Sequence, residues 1–215
     1  MKLVHYPHPS LRHPAKPVTL LDKEIQHVIG TLTDLMYTHR GVGLAAPQIG
    51  VPYQIFVMNP ESDSEHKDQE WVMINPVISE KSGSIESEEG CLSFPGLYQK
   101  VRRAQKIKVQ GFDQHGKVFE RDLSDLLARI VQHETDHLHG RLFIDYFSPV
   151  ARIASKNELS AFERDFRRDQ EKKIIPSNKE ILRQLRALEE QLAQRTAQSQ
   201  VASNKQTSSA AVPIL

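Results

Sequence analysis

The chain has 215 residues, 39% hydrophobic and 26% charged, which is typical of a soluble globular protein. Its formal net charge is +1 at pH 7, so charge indicates neither a nucleic-acid partner nor an anionic membrane. Because no apolar run is long enough to cross a bilayer, no secretion signal opens the chain and Cys91 is the only cysteine, we expect a cytoplasmic protein without an internal disulfide.

The first predicted helix covers residues 22–40. Its apolar side chains recur at helical spacing: Ile25, Val28, Ile29, Leu32, Leu35 and Met36. Gly41 stands where a C-cap glycine is expected. Residues 41–50 are small and rich in glycine, so we predict a shaped loop whose backbone closely approaches another group.

Strands are predicted at residues 53–58 and 71–78, separated by an acidic loop. A hairpin is predicted from residues 106–112 and 117–122, because the turn between them reads Asp-Gln-His-Gly. A second helix is predicted at residues 124–139, with Ser124 or Asp122 as its N-cap and Gly140 at its end. Its predicted buried stripe consists of Leu126, Leu127, Ile130, Val131 and Leu138.

The C-terminal part contains two further helical patterns, at residues 157–173 and 177–195, separated by Pro176. The second is rich in Glu, Gln, Arg and Leu, so it is a candidate to stand clear of the body. We divide the chain into a domain at residues 1–150, a helical extension at 151–196, and a disordered tail at 197–215 that is rich in Ser, Ala, Gln and Thr.

The second helix carries the pattern His133-Glu134-Thr135-Asp136-His137. Two histidines four residues apart lie on one helix face and can bind one metal ion, while the adjacent glutamate is placed to move a proton of a water. The alternative is a polar helix surface with two solvated histidines. The apolar residues that precede them favour a buried face, where imidazoles need partners, and therefore a metal.

A catalytic site of this type needs a third protein ligand. Position 143 is Phe143, which excludes the third histidine of a metzincin. Glu158 lies near the distance at which a thermolysin-like enzyme places its glutamate ligand. Cys91, between a strand-like run and a glycine-bounded turn, is the other candidate, and its alternative is a small buried hydrophobe. Residue types alone leave both ligands open.

Three segments together resemble the signature motifs of the peptide deformylases, in the family's order and at family-like spacing. They read Gly-Val-Gly-Leu-Ala-Ala-Pro-Gln at residues 41–48, Glu-Gly-Cys-Leu-Ser at 89–93 and Gln-His-Glu-Thr-Asp-His at 132–137. The likeness covers roughly the first 150 residues and favours Cys91 over Glu158. We therefore expect an α+β fold with mixed or antiparallel sheets around a central metal-binding helix and a C-terminal helical extension.

The resemblance implies a hydrolase that removes the formyl group from the formyl-methionine of nascent polypeptides and releases formate. The implied ligands of one divalent metal are Cys91, His133 and His137, with Fe(II) as the native ion and Zn(II), Ni(II) or Co(II) tolerated. Glu134 is the implied acid and base. The side-chain amide of Gln48 and the backbone N–H of Leu92 are the implied donors to the oxyanion.

The substrate contacts follow from the same resemblance. The apolar candidates for the methionine pocket are Val42, Leu126 and Ile130, although helix core is an alternative for the last two. Gly43 and Gly90 let a peptide backbone lie close, paired as an added strand. Arg103 is a candidate to hold substrate or to line the entrance, with a solvated arginine as the alternative.

The extension also has two interpretations. Its first helix carries basic residues that are candidates for docking at the ribosome: Arg164, Arg167, Arg168, Lys172 and Lys173. Interspersed acids favour a solvated helix equally, and the chain has no nucleic-acid recognition motif. Two rival functions are a zinc endopeptidase with Glu158 as third ligand, and a ribosome- or peptide-binding module with a decayed site. The second is disfavoured because every implied catalytic position is filled.

Overall fold

The computed structural model describes the backbone of residues 1–205 and the side chains of residues 1–202. Its strands are β1 (Gly43–Ala45), β2 (Ile55–Met58), β3 (Trp71–Ser82), β4 (Ile85–Gly90), β5 (Tyr98–Arg103), β6 (Lys106–Phe112) and β7 (Val118–Ser124). Its α-helices are α1 (Lys23–Thr38), α2 (Asp125–Leu138), α3 (Pro149–Ala154), α4 (Lys156–Glu171) and α5 (Asn178–Lys205). The predicted α+β class is confirmed.

The strands form two antiparallel sheets. One has the order β1-β2-β3-β6-β7, so β1 and β7 are its edges, and the other consists of β4 and β5. The predicted hairpin of β6 and β7 is present, with Gly116 at a φ of 77° in its turn. The sequence analysis missed β5 and gave no bounds for the strand-like run before Cys91, because β4 reads Ile-Glu-Ser-Glu-Glu-Gly and lacks the apolar alternation of a half-buried strand.

Helix α1 begins as predicted and ends earlier. The Asp22 carboxylate accepts hydrogen bonds from the backbone N–H groups of Glu24 and Ile25, both at 3.0 Å, which caps the first turn. At the other end Arg40, with a φ of 54°, takes the left-handed position that follows the C-cap. The expectation that Gly41 caps this helix is therefore wrong by one residue; its N–H bonds to the carbonyl of Met36 at 2.8 Å.

Helix α2 packs across the five-stranded sheet. Its residues Ile130 and Val131 share a buried cluster with Phe56 of β2 and Val109 of β6. The helix ends at Leu138, and Gly140 takes the left-handed position after its C-cap, as predicted: it has a φ of 70°, and a Cβ there would lie 2.6 Å from the carbonyl oxygen of Arg12. Of the two N-cap candidates, Ser124 and not Asp122 holds the N-cap position of α2. The Ser124 side chain accepts no hydrogen bond there.

Helix α5 is part of the body, contrary to the expectation that it stands clear. Leu188 and Leu192 pack into the main core, and Arg195 forms ion pairs with Asp22 at 2.8 Å and Glu24 at 2.7 Å. The helix also continues to Lys205, through the first part of the predicted disordered tail. The predicted boundary at residue 197 is therefore wrong, and residues 206–215 lie outside the described part.

We predict that Leu192→Ala lowers the free energy of unfolding by about 2–4 kcal/mol, because it deletes a side chain that is 4% exposed in the main core. Urea denaturation followed by circular dichroism measures this change. The neighbouring exposed substitution Gln191→Ala is the control and should change stability by less than about 0.5 kcal/mol. An unchanged midpoint for Leu192→Ala would mean that α5 does not unfold with the body.

Candidate metal centre and substrate groove

Cys91, His133 and His137 converge as the sequence predicted. One potential ligand atom from each lies within 4.8 Å of the other two. Both histidines come from α2, where a spacing of four residues places them on one face, and Cys91 follows directly after β4. The Cys91 Sγ lies 3.4 Å from Nε2 of His137. Glu158, the alternative third ligand, is exposed on α4 and is not part of this group.

The ionisation of the two histidines suits a metal centre. Burial lowers the pKa of His137 well below its ordinary value, so this imidazole is neutral and has a free lone pair. Burial also disfavours the charge on His133, but the hydrogen bonds that His133 donates to Cys91 and Glu89 raise its pKa to about 10. Without a metal, His133 is therefore protonated at neutral pH, and a bound metal ion would take the place of the proton on one ring nitrogen.

Gln48 lies beside the three ligands, fully buried. The expected shaped loop at residues 41–50 is the short strand β1 followed by a 3-10 turn, Ala46–Ile49. The Ala45 N–H donates to Oε1 of Gln48 at 2.8 Å, which fixes the orientation of the amide. Its Nε2 then donates to Cys91 Sγ at 3.4 Å and to Ser93 Oγ at 3.3 Å. The amide N–H group thus points into the centre.

Glu134 is 4% exposed, and its Oε2 has no hydrogen-bond partner among the described residues. Burial is the largest cause that raises the pKa of Glu134, to about 7. Gly43 of β1 allows this carboxylate to approach, since a Cβ at Gly43 would lie 2.5 Å from Glu134 Oε1. An unpartnered carboxylate with a pKa near neutrality is suited to accept and release a proton.

Glu89 holds the centre together, although the sequence analysis gave it no role. Its carboxylate accepts hydrogen bonds from Arg103 Nε at 2.7 Å, from Arg129 Nη1, and from His133 Nδ1 at 3.1 Å. Burial alone would raise the pKa of Glu89, but the bonds from His133 and Arg103 lower it to about 2. Because Nδ1 of His133 is occupied by Glu89, Nε2 is the nitrogen left for a metal.

Arg103 does not line the entrance, so the prediction that it holds substrate is wrong. Its side chain is buried, and besides Glu89 it donates to Asp136 at 2.6 Å. Tyr146 also donates to Asp136, at 2.9 Å, and its ring centroid lies 4.8 Å from the Arg103 guanidinium carbon. Arg103 therefore positions Glu89 and the last turns of α2. The sequence analysis did not anticipate that Arg103 of β5 and Arg129 of α2 both pair with the buried Glu89.

A groove of about 600 Å³ opens onto this centre. Among its lining residues are the predicted substrate contacts Val42, Gly43, Gly90, Leu126 and Ile130. Leu126 is 53% exposed, so its expected place in the buried stripe of α2 is corrected to the wall of the groove. Leu92 also lines the groove.

One further groove residue was not anticipated. Tyr98 of β5 is 61% exposed, and its ring lies where a Cβ at Gly90 would stand, 2.4 Å from such an atom. The absence of a side chain at Gly90 therefore makes room for an aromatic ring at the rim. Arg40, His39 and His5 line the same rim and were not anticipated either.

Comparison with known proteins agrees with this geometry. The polypeptide deformylase family model matches residues 1–152. The chain belongs to the polypeptide deformylase family. A peptide deformylase of Rhodopirellula baltica is 37% identical over 166 residues, which cover 77% of this chain and 82% of that relative.

Two solved deformylase structures are also similar. A peptide deformylase from Legionella pneumophila is 43% identical with a TM-score of 0.70, covering 78% of this chain and 97% of its own. A peptide deformylase from Arabidopsis thaliana is 39% identical with a TM-score of 0.75, covering 82% of this chain and 96% of its own.

Membership of the deformylase family establishes the activity. The chain is a metal-dependent hydrolase that removes the N-formyl group from nascent polypeptides, and it binds a single metal ion. The endopeptidase alternative is not favoured, since it depended on Glu158. In the described part of the chain, no helix is long and apolar enough to cross a membrane.

We predict that Glu89→Gln removes a pH dependence of stability. The pKa of Glu89 is about 2 in the folded protein, against 4.5 ordinarily, so its contribution is complete above about pH 4.5 and is lost as the pH falls toward 2. A difference of this size corresponds to about 3 kcal/mol. Urea titrations of the metal-free protein between pH 2 and 6 measure it.

The matched control is Glu88→Gln, because Glu88 is the exposed neighbour of Glu89 on β4. At neutral pH, Glu89→Gln should destabilise the protein by about 3–5 kcal/mol and Glu88→Gln by less than about 0.5 kcal/mol. Equal pH profiles for the wild type and Glu89→Gln would contradict the assigned ion pairs.

Proposed function

We propose that Cys91, His133 and His137 hold the metal ion of this deformylase, and that the native ion is Fe(II), with Zn(II), Ni(II) or Co(II) as substitutes. The convergence of the three ligand atoms within 4.8 Å carries this proposal. A thiolate with two imidazoles accepts a borderline-soft divalent ion, which supports iron as well as zinc. When bound, the ion supplies a Lewis acid that lowers the pKa of water from about 15.7 toward 7.

In the proposed reaction Glu134 moves the proton. Its carboxylate accepts a proton from the water that attacks the formyl carbon, and then delivers this proton to the departing amine nitrogen. The C–N bond of the formamide breaks, and formate and a free N-terminus are released. The unpartnered Oε2 of Glu134, with burial that raises the pKa of this carboxyl to about 7, supports both halves of this role.

Two N–H donors are proposed to stabilise the oxyanion that develops on the formyl group. The first is Nε2 of Gln48, which the Ala45 backbone holds toward the ligand Cys91. The second is the backbone N–H of Leu92, which directly follows that ligand in the chain. One preorganised donor of this kind contributes about 3 kcal/mol to lowering the barrier.

The substrate peptide is proposed to lie extended between two exposed strand edges. Strand β1 is an edge of the large sheet, and β4 has only β5 as a neighbour, so both offer free backbone groups toward the groove. Gly43 and Gly90 keep these edges clear of side chains. The methionine side chain is assigned to the apolar wall made by Val42, Leu126 and Ile130.

We also propose that the enzyme acts in the cytoplasm, on chains that leave the ribosome. Support comes from the substrate, because formylated N-termini belong to newly made polypeptides. The basic residues proposed to face the ribosome lie on α4 or directly after it, and all are exposed: Arg164, Arg167, Arg168, Lys172 and Lys173. Arg168 already pairs with Asp165 at 2.7 Å and Asp169 at 3.2 Å, which limits its share in such docking.

We predict that Cys91→Ala loses the metal while Glu158→Gln keeps it. Metal analysis of anaerobically purified protein should give about one ion per chain for the wild type and for Glu158→Gln, and less than a tenth of that for Cys91→Ala, because two imidazoles alone hold a divalent ion weakly. The reverse pattern would restore the endopeptidase with Glu158 as its ligand.

We predict that Glu134→Gln binds one metal ion per chain but lowers kcat by about 10²–10⁴-fold, because the amide cannot accept the proton. Gln48→Ala should lower kcat by about 10²–10³-fold, with the metal again retained. Formate release from formyl-Met-Ala measures both, and Glu120→Gln, exposed on β7, is the control with wild-type activity. Full activity of Glu134→Gln would remove this residue from the mechanism.

A further inference from the structure

The mouth of the groove carries a basic rim, defined here as His5, His39 and Arg40. All three side chains are exposed, and all three line the same groove as Glu134 and His133. None of the ion pairs formed by the described side chains of residues 1–202 involves Arg40, so its guanidinium is free for a ligand. The two imidazoles add N–H groups beside this permanent charge.

The backbone holds Arg40 at this place. The Arg40 N–H bonds to the carbonyl of Tyr37 at 3.0 Å, and the Gly41 N–H bonds to that of Met36 at 2.8 Å, which is the pattern of a helix end whose left-handed residue is normally glycine. Arg40 has a φ of 54°, which is unfavourable for a residue with a Cβ.

The position of Arg40 relative to Glu134 indicates which part of the substrate would pass its guanidinium group. Gly43 contacts Glu134, so the formyl group and the methionine lie at this end of β1. Going backward, Val42 lies in the groove and Arg40 is three residues from Gly43, at most about 10 Å in an extended chain. A substrate that runs along the edge of β1 covers this distance by its third or fourth residue.

We propose that Arg40, supported by His39 and His5, selects nascent peptides with an acidic side chain at the third or fourth position. This inference rests on the proposed extended path of the substrate along β1. Glu88 lines the same groove, and its cross-strand neighbour on β5 is Lys100. Arg40 supplies the permanent positive charge of the rim.

The test is kcat/KM of the metal-loaded enzyme for formyl-Met-Ala-Glu-Glu, formyl-Met-Ala-Gln-Gln and formyl-Met-Ala-Lys-Lys. Exposed ion pairs of ordinary strength predict a preference of about three- to tenfold for the Glu peptide over the Lys peptide at low salt. This ratio should approach one in about 1 M NaCl, where charges are screened beyond about 3 Å.

Arg40→Gly should abolish the preference and Arg40→Glu should reverse it, with kcat/KM for the Gln peptide as the reference within each variant. Glycine suits the left-handed position, so Arg40→Gly should fold at least as stably as the wild type. The matched control is Arg121→Glu on β7, at the opposite edge of the sheet from β1, which changes the net charge equally and should keep the wild-type preference.

The outcomes separate this inference from the deformylase mechanism. Normal turnover of all three peptides without a charge preference, or a preference that survives in Arg40→Gly, overturns the selective rim and leaves the catalytic roles intact. If the metal-loaded wild type releases no formate from any of the three peptides, the proposed function itself fails.

Discussion

The carboxylate of Glu89 is the contact on which the rest of the site depends. It is buried between two arginines and His133, and these partners come from two elements of the fold: Arg103 from β5, and Arg129 and His133 from α2. Because Cys91 follows Glu89 by two residues, one ion-pair network orients a histidine ligand and positions the cysteine ligand. A buried charge with so many partners is costly to disturb, so the small sheet and the helix are held in one relative position.

The groove follows from what the two sheets leave unpaired. Strands β1 and β4 both end their sheets, and glycines at residues 43 and 90 keep these edges open. A free sheet edge is normally a risk of aggregation, and here a peptide substrate is the proposed partner that pairs with it. The same glycines bring Glu134 to one wall and the ring of Tyr98 to the other, so catalysis and peptide binding share their backbone requirements.

Helix α5 illustrates how a polar sequence can belong to a core. Only a narrow stripe of it is apolar, and this stripe reaches the main core through Leu188 and Leu192. Its polar flank is used as well, since His13 pairs with Glu189 at 2.7 Å and Arg195 with Asp22. The N-terminal segment and α5 are thereby held together, and Asp22, the N-cap of α1, takes part in this contact.

The sequence by itself determined the chemistry of this protein. The spacing of His133 and His137 places two imidazoles on one helix face, and the resemblance of three segments named Cys91 and Gln48, all of which the fold brings together. Only the tertiary structure decided what depends on contacts between distant elements. Arg103 is buried and does not line the entrance, Leu126 faces the groove, and α5 lies against the body. These outcomes depend on burial and ion pairing with partners that lie far away in the chain.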